Sequence, residues 1–447
     1  MNRDYLVFKL ADKVKATSRI DSALFPKYGV KRGLRNEDGS GVLVGLTNIG
    51  NVVGYQRMPD GGIKPVDGKL FYRGYELNDL VAPLSRDHRF GFEEVAYLLL
   101  SGDLPDKEEL ESFRSLLNSK MPLDHRSMVH IIDLEGSNIM NILARCVLEM
   151  YTFDPNPEDM SRDNLMRQSI DLIAKFPTII AYAYNCYRHS VQGKGLHIRH
   201  PQENLSLAEN FLYMLKNDYT PLDAQMLDLL LITQAEHGGG NNSAFTCRVL
   251  TSTGTDTYGA ICGAINSLKG PLHGGANAKV MQMFNDIKAH LPDGCSDKQL
   301  AEYLELIIEG KANDGTGKIY GLGHAVYTTS DPRTLLVKEY SREMAEKTGA
   351  KKDFDLMERI ERIGLELLAQ KLPGHKVMCA NVDMYSGLVY SMLGIPEDMF
   401  TPLFAIARVS GWCAHRLEEL ISGGRLIRPG YKAVMQMSGY VPIEERS

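Results

Sequence analysis

Apolar residues recur three and four positions apart along most of the chain, in Phe92 to Leu100, Asp223 to Glu236, Lys298 to Glu309, Pro332 to Lys347, Phe354 to Gln370 and Pro402 to Leu420. That period places them on one face of a helix, so an α-rich fold is predicted. Asp353 reads as the cap of the helix running to Gln370, Pro373-Gly374 as its end, and Gly349 as the end of the helix before it. The exception lies in Gly41 to Tyr72, where Val42-Leu43-Val44, Val52-Val53 and Leu70-Phe71-Tyr72 are short β-prone runs between Asn-, Gly- and Pro-containing turns. A small, peripheral antiparallel element is predicted there. Ser190 to Pro201 and Asn313 to Asp331 read as loops; the second carries Gly315, Gly317, Gly321 and Gly323, which let backbone approach a ligand closely.

Composition narrows the class. The chain of 447 residues balances 50 Lys+Arg against 56 Asp+Glu, a formal net charge of −6, so no global field draws it to nucleic acid or anionic membrane. With 44% hydrophobic and 24% charged residues it matches ordinary globular enzymes. Arg408 breaks the apolar run Phe404 to Leu417, and Asp171 and Lys175 break Ile170 to Tyr184, so no segment is expected to cross a bilayer. The 7 cysteines are scattered without a CxxC pair, which fits reduced thiols and signals neither zinc nor a disulfide framework. Met1 to Lys15 lacks the features of a secretion or transit signal, and a cytoplasmic location is expected.

Several familiar motifs fail. His237-Gly238-Gly239-Gly240 resembles the oxyanion-hole run of lipases, but no GxSxG elbow accompanies it. Gly315-Thr316-Gly317 lacks the third glycine of a dinucleotide fingerprint, Gly317-Lys318 is followed by Ile319 rather than Ser or Thr, and there is no HExxH.

Other segments remain: His237 before Gly238 to Asn242, His273 in Gly270-Pro-Leu-His-Gly-Gly-Ala-Asn277, His324 in Gly321-Leu-Gly-His-Ala-Val-Tyr327, and Asp383 in Asn381-Val-Asp-Met-Tyr-Ser-Gly387. Together with Phe71-Tyr-Arg-Gly-Tyr75, Asp331-Pro332-Arg333, Phe404-Ala-Ile-Ala-Arg408 and Leu426-Ile-Arg-Pro429, they occur in the order found in citrate synthases, and over most of its length the sequence resembles that family. The resemblance implies a mainly all-α, two-domain fold with a small N-terminal antiparallel β element. Residues 1–274 would form the first part of a large domain, 275–379 a smaller mobile CoA-binding domain, and 380–447 the rest of the large one. It also implies a homodimer, no metal or other cofactor, and small-molecule substrates, acetyl-CoA and oxaloacetate, with no nucleic-acid or membrane partner.

By match to the family, Asp383 is the base that takes a proton from the acetyl methyl group, a task that requires desolvation to raise its pKa. Read without the family, an Asp before a helix-like run is a helix cap. His273 matches the donor to the thioester carbonyl, and a neighbouring helix N-terminus is expected to keep it neutral. His324 matches the residue that polarises the ketone of oxaloacetate. Arg333, Arg408 and Arg428 match the groups that pair with its two carboxylates, with His237 as a further contact, and Arg428 would reach the site of the other subunit. Lys318, Ile319, Tyr320, Gly321, Leu322 and Gly323 match the loop whose backbone meets the CoA adenine. Two positions depart from commoner members: Thr328, where many carry Lys or Arg able to meet CoA phosphates, and Ala325 after His324. The same motifs fit 2-methylcitrate synthases, which use propionyl-CoA, because one methylene gives little discrimination. A non-catalytic organic-acid or CoA-binding protein would not need a base and two donors.

Overall fold

The computed structural model describes residues 3–59, 62–134, 136–371 and 377–446. The chain forms two compact units: Val44–Leu426, and the two chain ends, Met1–Leu43 with Ile427–Ser447. The terminal unit holds the helices Arg3–Thr17 and Leu24–Lys27, with Lys432 Nζ 5.6 Å from the centre of the Tyr28 ring. Arg428 belongs to this unit.

In the central unit the predicted helices are observed as Phe92–Ser101, Pro221–Gln234, Asp297–Ile308, Pro332–Thr348, Lys351–Lys371 and Phe400–Ile421. Gly349 ends the Pro332–Thr348 helix with φ of 76°, a conformation that a residue without Cβ adopts cheaply. Asp353 is not the cap of the next helix: that helix begins at Lys351, and Asp353 lies in its first turn, where its charge suits the helix dipole. Pro373-Gly374 lies outside the described residues.

The Phe400–Ile421 helix is apolar nearly all round, as a helix enclosed by others must be. It packs against helices Phe92–Ser101, Arg162–Ser190, Pro221–Gln234, Asn242–Thr251 and Thr257–Lys269. Trp412, at its middle, is completely buried.

The β element is an antiparallel sheet of β1 (Gly50–Arg57), β2 (Ile63–Tyr72) and β3 (Tyr75–Glu76), in that order. Val42 to Val44 does not join it: Gly41 makes only an isolated bridge to Arg35. The register of β1 on β2 shifts between Val53 and Tyr55. At that irregularity a Cβ on Gly54 would stand 2.4 Å from the carbonyl oxygen of Val326, and one on Gly68 of β2 would stand 2.0 Å from that of Ser330. The glycines let the sheet lie flat on residues 326–330, where Thr328 Oγ1 donates to the Gly54 carbonyl at 2.6 Å and the Gly68 N–H donates to Ser330 Oγ at 3.0 Å. The sheet is therefore a clamp on the segment that follows His324. Among the described residues no helix is long and apolar enough to cross a membrane.

Candidate active site

The loop that carries His324 and the turn that carries Asp383 are stitched together by backbone. Leu322 bridges Ala380, the Gly323 N–H donates to the Cys379 carbonyl at 2.8 Å, and the Asn381 N–H donates to the Gly321 carbonyl at 2.9 Å. Gly321 and Gly323 adopt φ of 85° and 91°, which favours glycine at both, and at Gly321 a Cβ would also meet Met384 Sδ at 2.6 Å. Ile319 and Leu322 anchor the same loop on Gly364 of the Lys351–Lys371 helix, while Lys318 is exposed and Tyr320 donates to Asp314 at 2.6 Å.

His324 Nδ1 accepts the backbone N–H groups of Val326 and Tyr327, each at 3.0 Å, which fixes the neutral ring with its proton on Nε2. The His237 ring lies edge-on to it with centroids 5.1 Å apart, and Tyr327 packs against both. His237 is buried with no hydrogen-bond partner for Nε2 among the described residues, and burial followed by the positive field of Arg333 holds its pKa well below the usual value.

Two buried arginines of the Phe400–Ile421 helix contrast sharply. Arg416 is fully engaged: Nε and Nη1 donate to Thr257 and Thr251 hydroxyls at 3.1 Å, and Nη2 donates to the Thr255 carbonyl at 2.8 Å. Arg408 has 0% exposure, gives only its Nε–H, to the Gln234 carbonyl at 2.7 Å, and finds no protein partner for Nη1 or Nη2 among the described residues. Gln234 ends its helix, so this contact sets a cation against the negative end of a helix dipole and aims the guanidinium fork elsewhere. Burial lowers the Arg408 pKa to about 10, with Glu236 opposing, and it remains charged at neutral pH.

Arg333 is also buried, but Asp331 takes Nε and Nη2 at 3.0 and 2.7 Å. Its guanidinium stands 5.6 Å over the Tyr327 ring, and its charge acts on both His237 and Asp383.

Asp383 is the first residue of the Asp383–Met392 helix; Val382 occupies the cap position and no side chain caps this end. Burial pushes the Asp383 carboxyl up to about 6, with Arg333 pulling it down and Asp331 pushing it up. The helix packs on Ala276–His290, which follows His273, through Gly387, where a Cβ would stand 2.7 Å from Met281 Cγ.

His273 lies edge-on to Phe404 at 6.5 Å, and Arg408 covers Phe404 at 4.8 Å. Burial first, then Arg408, lowers the His273 pKa to about 4, so the imidazole is neutral. The Ser243 hydroxyl donates to Asn241 Oδ1 at 2.9 Å and accepts from Trp412 Nε1 at 3.1 Å, and its oxygen lies 3.0 Å from His273 Nε2.

Beneath this layer Glu236 accepts from His415 Nε2 at 2.8 Å and from the Gly238 N–H. Burial raises the Glu236 carboxyl, but His415 and Arg408 outweigh it and the group stays ionised. Tyr72 ties β2 to this region by donating to the Ile232 carbonyl at 3.0 Å, and Arg73 forks onto the Leu99 carbonyl at 3.0 and 2.8 Å. Ser243, Glu236, Gln234 and Tyr327 were not singled out by sequence reasoning, because their partners lie far along the chain. Among the described residues no group of three or more His, Cys, Asp or Glu is placed to hold a metal ion.

The cluster thus joins a carboxyl with a raised pKa, neutral imidazoles and a guanidinium fork turned inward, the equipment for holding an anionic electrophile beside a group that removes a proton. By its fold and its relatives the chain is a transferase. The chain belongs to the citrate synthase family: residues 38–430 match the model of the citrate synthase C-terminal domain. It is 37% identical to citrate synthase 2 of Bacillus subtilis, over 86% of this chain and 95% of that one. It is 35% identical to 2-methylcitrate synthase 1 of Corynebacterium glutamicum, over 94% and 99%. The ternary complex of citrate synthase from Thermoplasma acidophilum with carboxymethyl coenzyme A and oxaloacetate superposes with a TM-score of 0.76 at 27% identity, covering 93% and 99%.

Proposed function

We propose that this protein is a citrate synthase, an acyltransferase that condenses acetyl-CoA with oxaloacetate and hydrolyses citryl-CoA to citrate and free CoA, an entry step of the tricarboxylic acid cycle. The observation that carries the reading is the open fork of Arg408, whose charge acts on His237 and His273, since a buried guanidinium is retained where an anion satisfies it. Oxaloacetate binds through Arg408, Arg333 and His237, and Arg428 from the partner subunit of a homodimer completes the set. The backbone of Lys318, Ile319, Tyr320, Gly321, Leu322 and Gly323 receives CoA.

Asp383 removes a proton from the acetyl methyl group, and a pKa of about 6 makes it a stronger base than a solvated carboxylate. The electron pair moves onto the thioester oxygen, where His273 donates a hydrogen bond. The enol carbon attacks the ketone of oxaloacetate, His324 gives its Nε2 proton to the oxygen that becomes the citryl hydroxyl, and water then cleaves the thioester. No resident metal or organic cofactor is required, and the enzyme acts in the cytoplasm.

The match to the Corynebacterium 2-methylcitrate synthase, which covers almost the whole chain, supports a second reading in which propionyl-CoA is preferred. Thiol release from acetyl-CoA and propionyl-CoA, each with oxaloacetate, separates the two. Asp383→Ala should retain oxaloacetate binding and lose condensation; near-normal turnover in that variant would remove the assigned base.

A further inference from the structure

Tyr327 is 1% exposed, yet its hydroxyl has no hydrogen-bond partner among the described residues. Its position is tightly determined. The ring packs on His324 with centroids 4.6 Å apart and on His237 at 5.5 Å, Arg333 covers it at 5.6 Å, and a Cβ on Gly68 would lie 2.7 Å from its Cδ1. Its N–H is one of the two donors that set the His324 tautomer. Electrostatic neighbours of the phenol are Arg333, Asp331, Tyr72 and Cys379, and Tyr72 in turn feels Arg408. The nearby Tyr72 hydroxyl is already committed to the Ile232 carbonyl. Burial raises the Tyr327 pKa, so the phenol is a donor at every working pH. An unpartnered buried hydroxyl is costly and persists where a ligand satisfies it.

We propose that Tyr327 is a substrate-binding and positioning residue: its hydroxyl donates to a carboxylate oxygen of the bound keto acid on the Arg333 side, while its ring and backbone N–H hold His324 in register. This rests on the function proposed above. Leu or Met at this position would fill the space but supply neither the donor nor the flat support for the imidazole.

The experiment compares full-length wild type, Tyr327→Phe and Tyr327→Leu for oxaloacetate binding by calorimetry and for thiol release with varied oxaloacetate and acyl-CoA. Loss of a hydrogen bond to a charged group should raise the oxaloacetate Kd and KM of Tyr327→Phe by about 10- to 100-fold. The acyl-CoA KM should hold, kcat should fall much less, and the ligand-free melting temperature should not drop, because no protein hydrogen bond is lost. Tyr327→Leu should add a loss in kcat. Unchanged oxaloacetate Kd in Tyr327→Phe, or weakening matched by a lower ligand-free melting temperature, overturns the proposal. A wild type that binds oxaloacetate but releases no thiol from any acyl-CoA instead overturns the proposed reaction and leaves the binding comparison to decide the role of Tyr327.

Discussion

Asn381 donates its side-chain N–H to the carbonyl of Gly323 at 2.9 Å and accepts the backbone N–H of Asp383 at 3.0 Å, so one amide joins the residue before His324 to the turn holding Asp383. The two groups to which the proposed reaction gives proton transfers are thereby set on one local frame, although 59 positions separate them in sequence, from 324 to 383.

Asn381→Ala should therefore lower kcat by about 10- to 100-fold with a smaller effect on oxaloacetate affinity, because misplacement of reacting groups by an ångström has costs of that order. Steady-state kinetics with a binding titration checks it, and equal losses in kcat and affinity would contradict the positioning role.

Arg408→Lys keeps a positive charge but cannot present two coplanar N–H groups while also capping the Gln234 carbonyl. Oxaloacetate affinity should fall at least about 30-fold, given roughly 2 kcal/mol or more for a bidentate charged contact. Arg416→Lys on the same helix should act differently, lowering thermal stability through the Thr251, Thr255 and Thr257 contacts while leaving oxaloacetate affinity near wild type.

A base works only when deprotonated, so kcat should decline as pH falls through about 6, the value to which burial raises Asp383. The linked stability has a definite sign. A carboxyl whose folded pKa is raised favours folding most below its unfolded pKa, and that contribution is lost as pH rises through about 6. Asp383→Asn should thus be more stable than wild type at pH 8, by on the order of 1–3 kcal/mol, with the difference vanishing near pH 4. Denaturant titrations at the two pH values test it; a variant destabilised at pH 8 would show that the carboxylate is better solvated than its burial implies.

Gly321→Ala places a Cβ against Met384 at a φ of 85° that L residues rarely adopt. The loop should loosen from residues 379–381, with kcat/KM for acyl-CoA falling about tenfold or more and amide exchange rising in residues 318–324. Gly74→Ala also violates a positive φ, 93°, but meets no atom within 4 Å, and should lose stability without the loop-specific exchange.

Helical periodicity alone located six helices to within a few residues, since the apolar spacing of a helix such as Phe400–Ile421 is written locally, but it passed over Lys107–Lys120, Ile139–Phe153 and the longest helix, Arg162–Ser190. It misplaced Asp353 because capping depends on which turn is already helical, and it overread Val42 to Val44 because a β-prone run becomes a strand only when another strand lies beside it. The motifs around His237, His273, His324, Arg333, Arg408 and Asp383 were legible as a set, through a resemblance carried by residue identity and order.

The amino-acid sequence by itself thus determined the helical class, the family and the list of chemically capable side chains. Tertiary structure decided how each was used. Arg408 and Arg416 stand eight positions apart on one helix; only the packing of threonines 251, 255 and 257 around Arg416 satisfies it, while Arg408 keeps its Nη1 and Nη2 without a partner among the described residues. The same holds for the Asn381 tie and the buried hydroxyl of Tyr327. Periodicity is a property of neighbouring residues, whereas hydrogen-bond partners and desolvation are allotted by elements that meet only when the chain has folded.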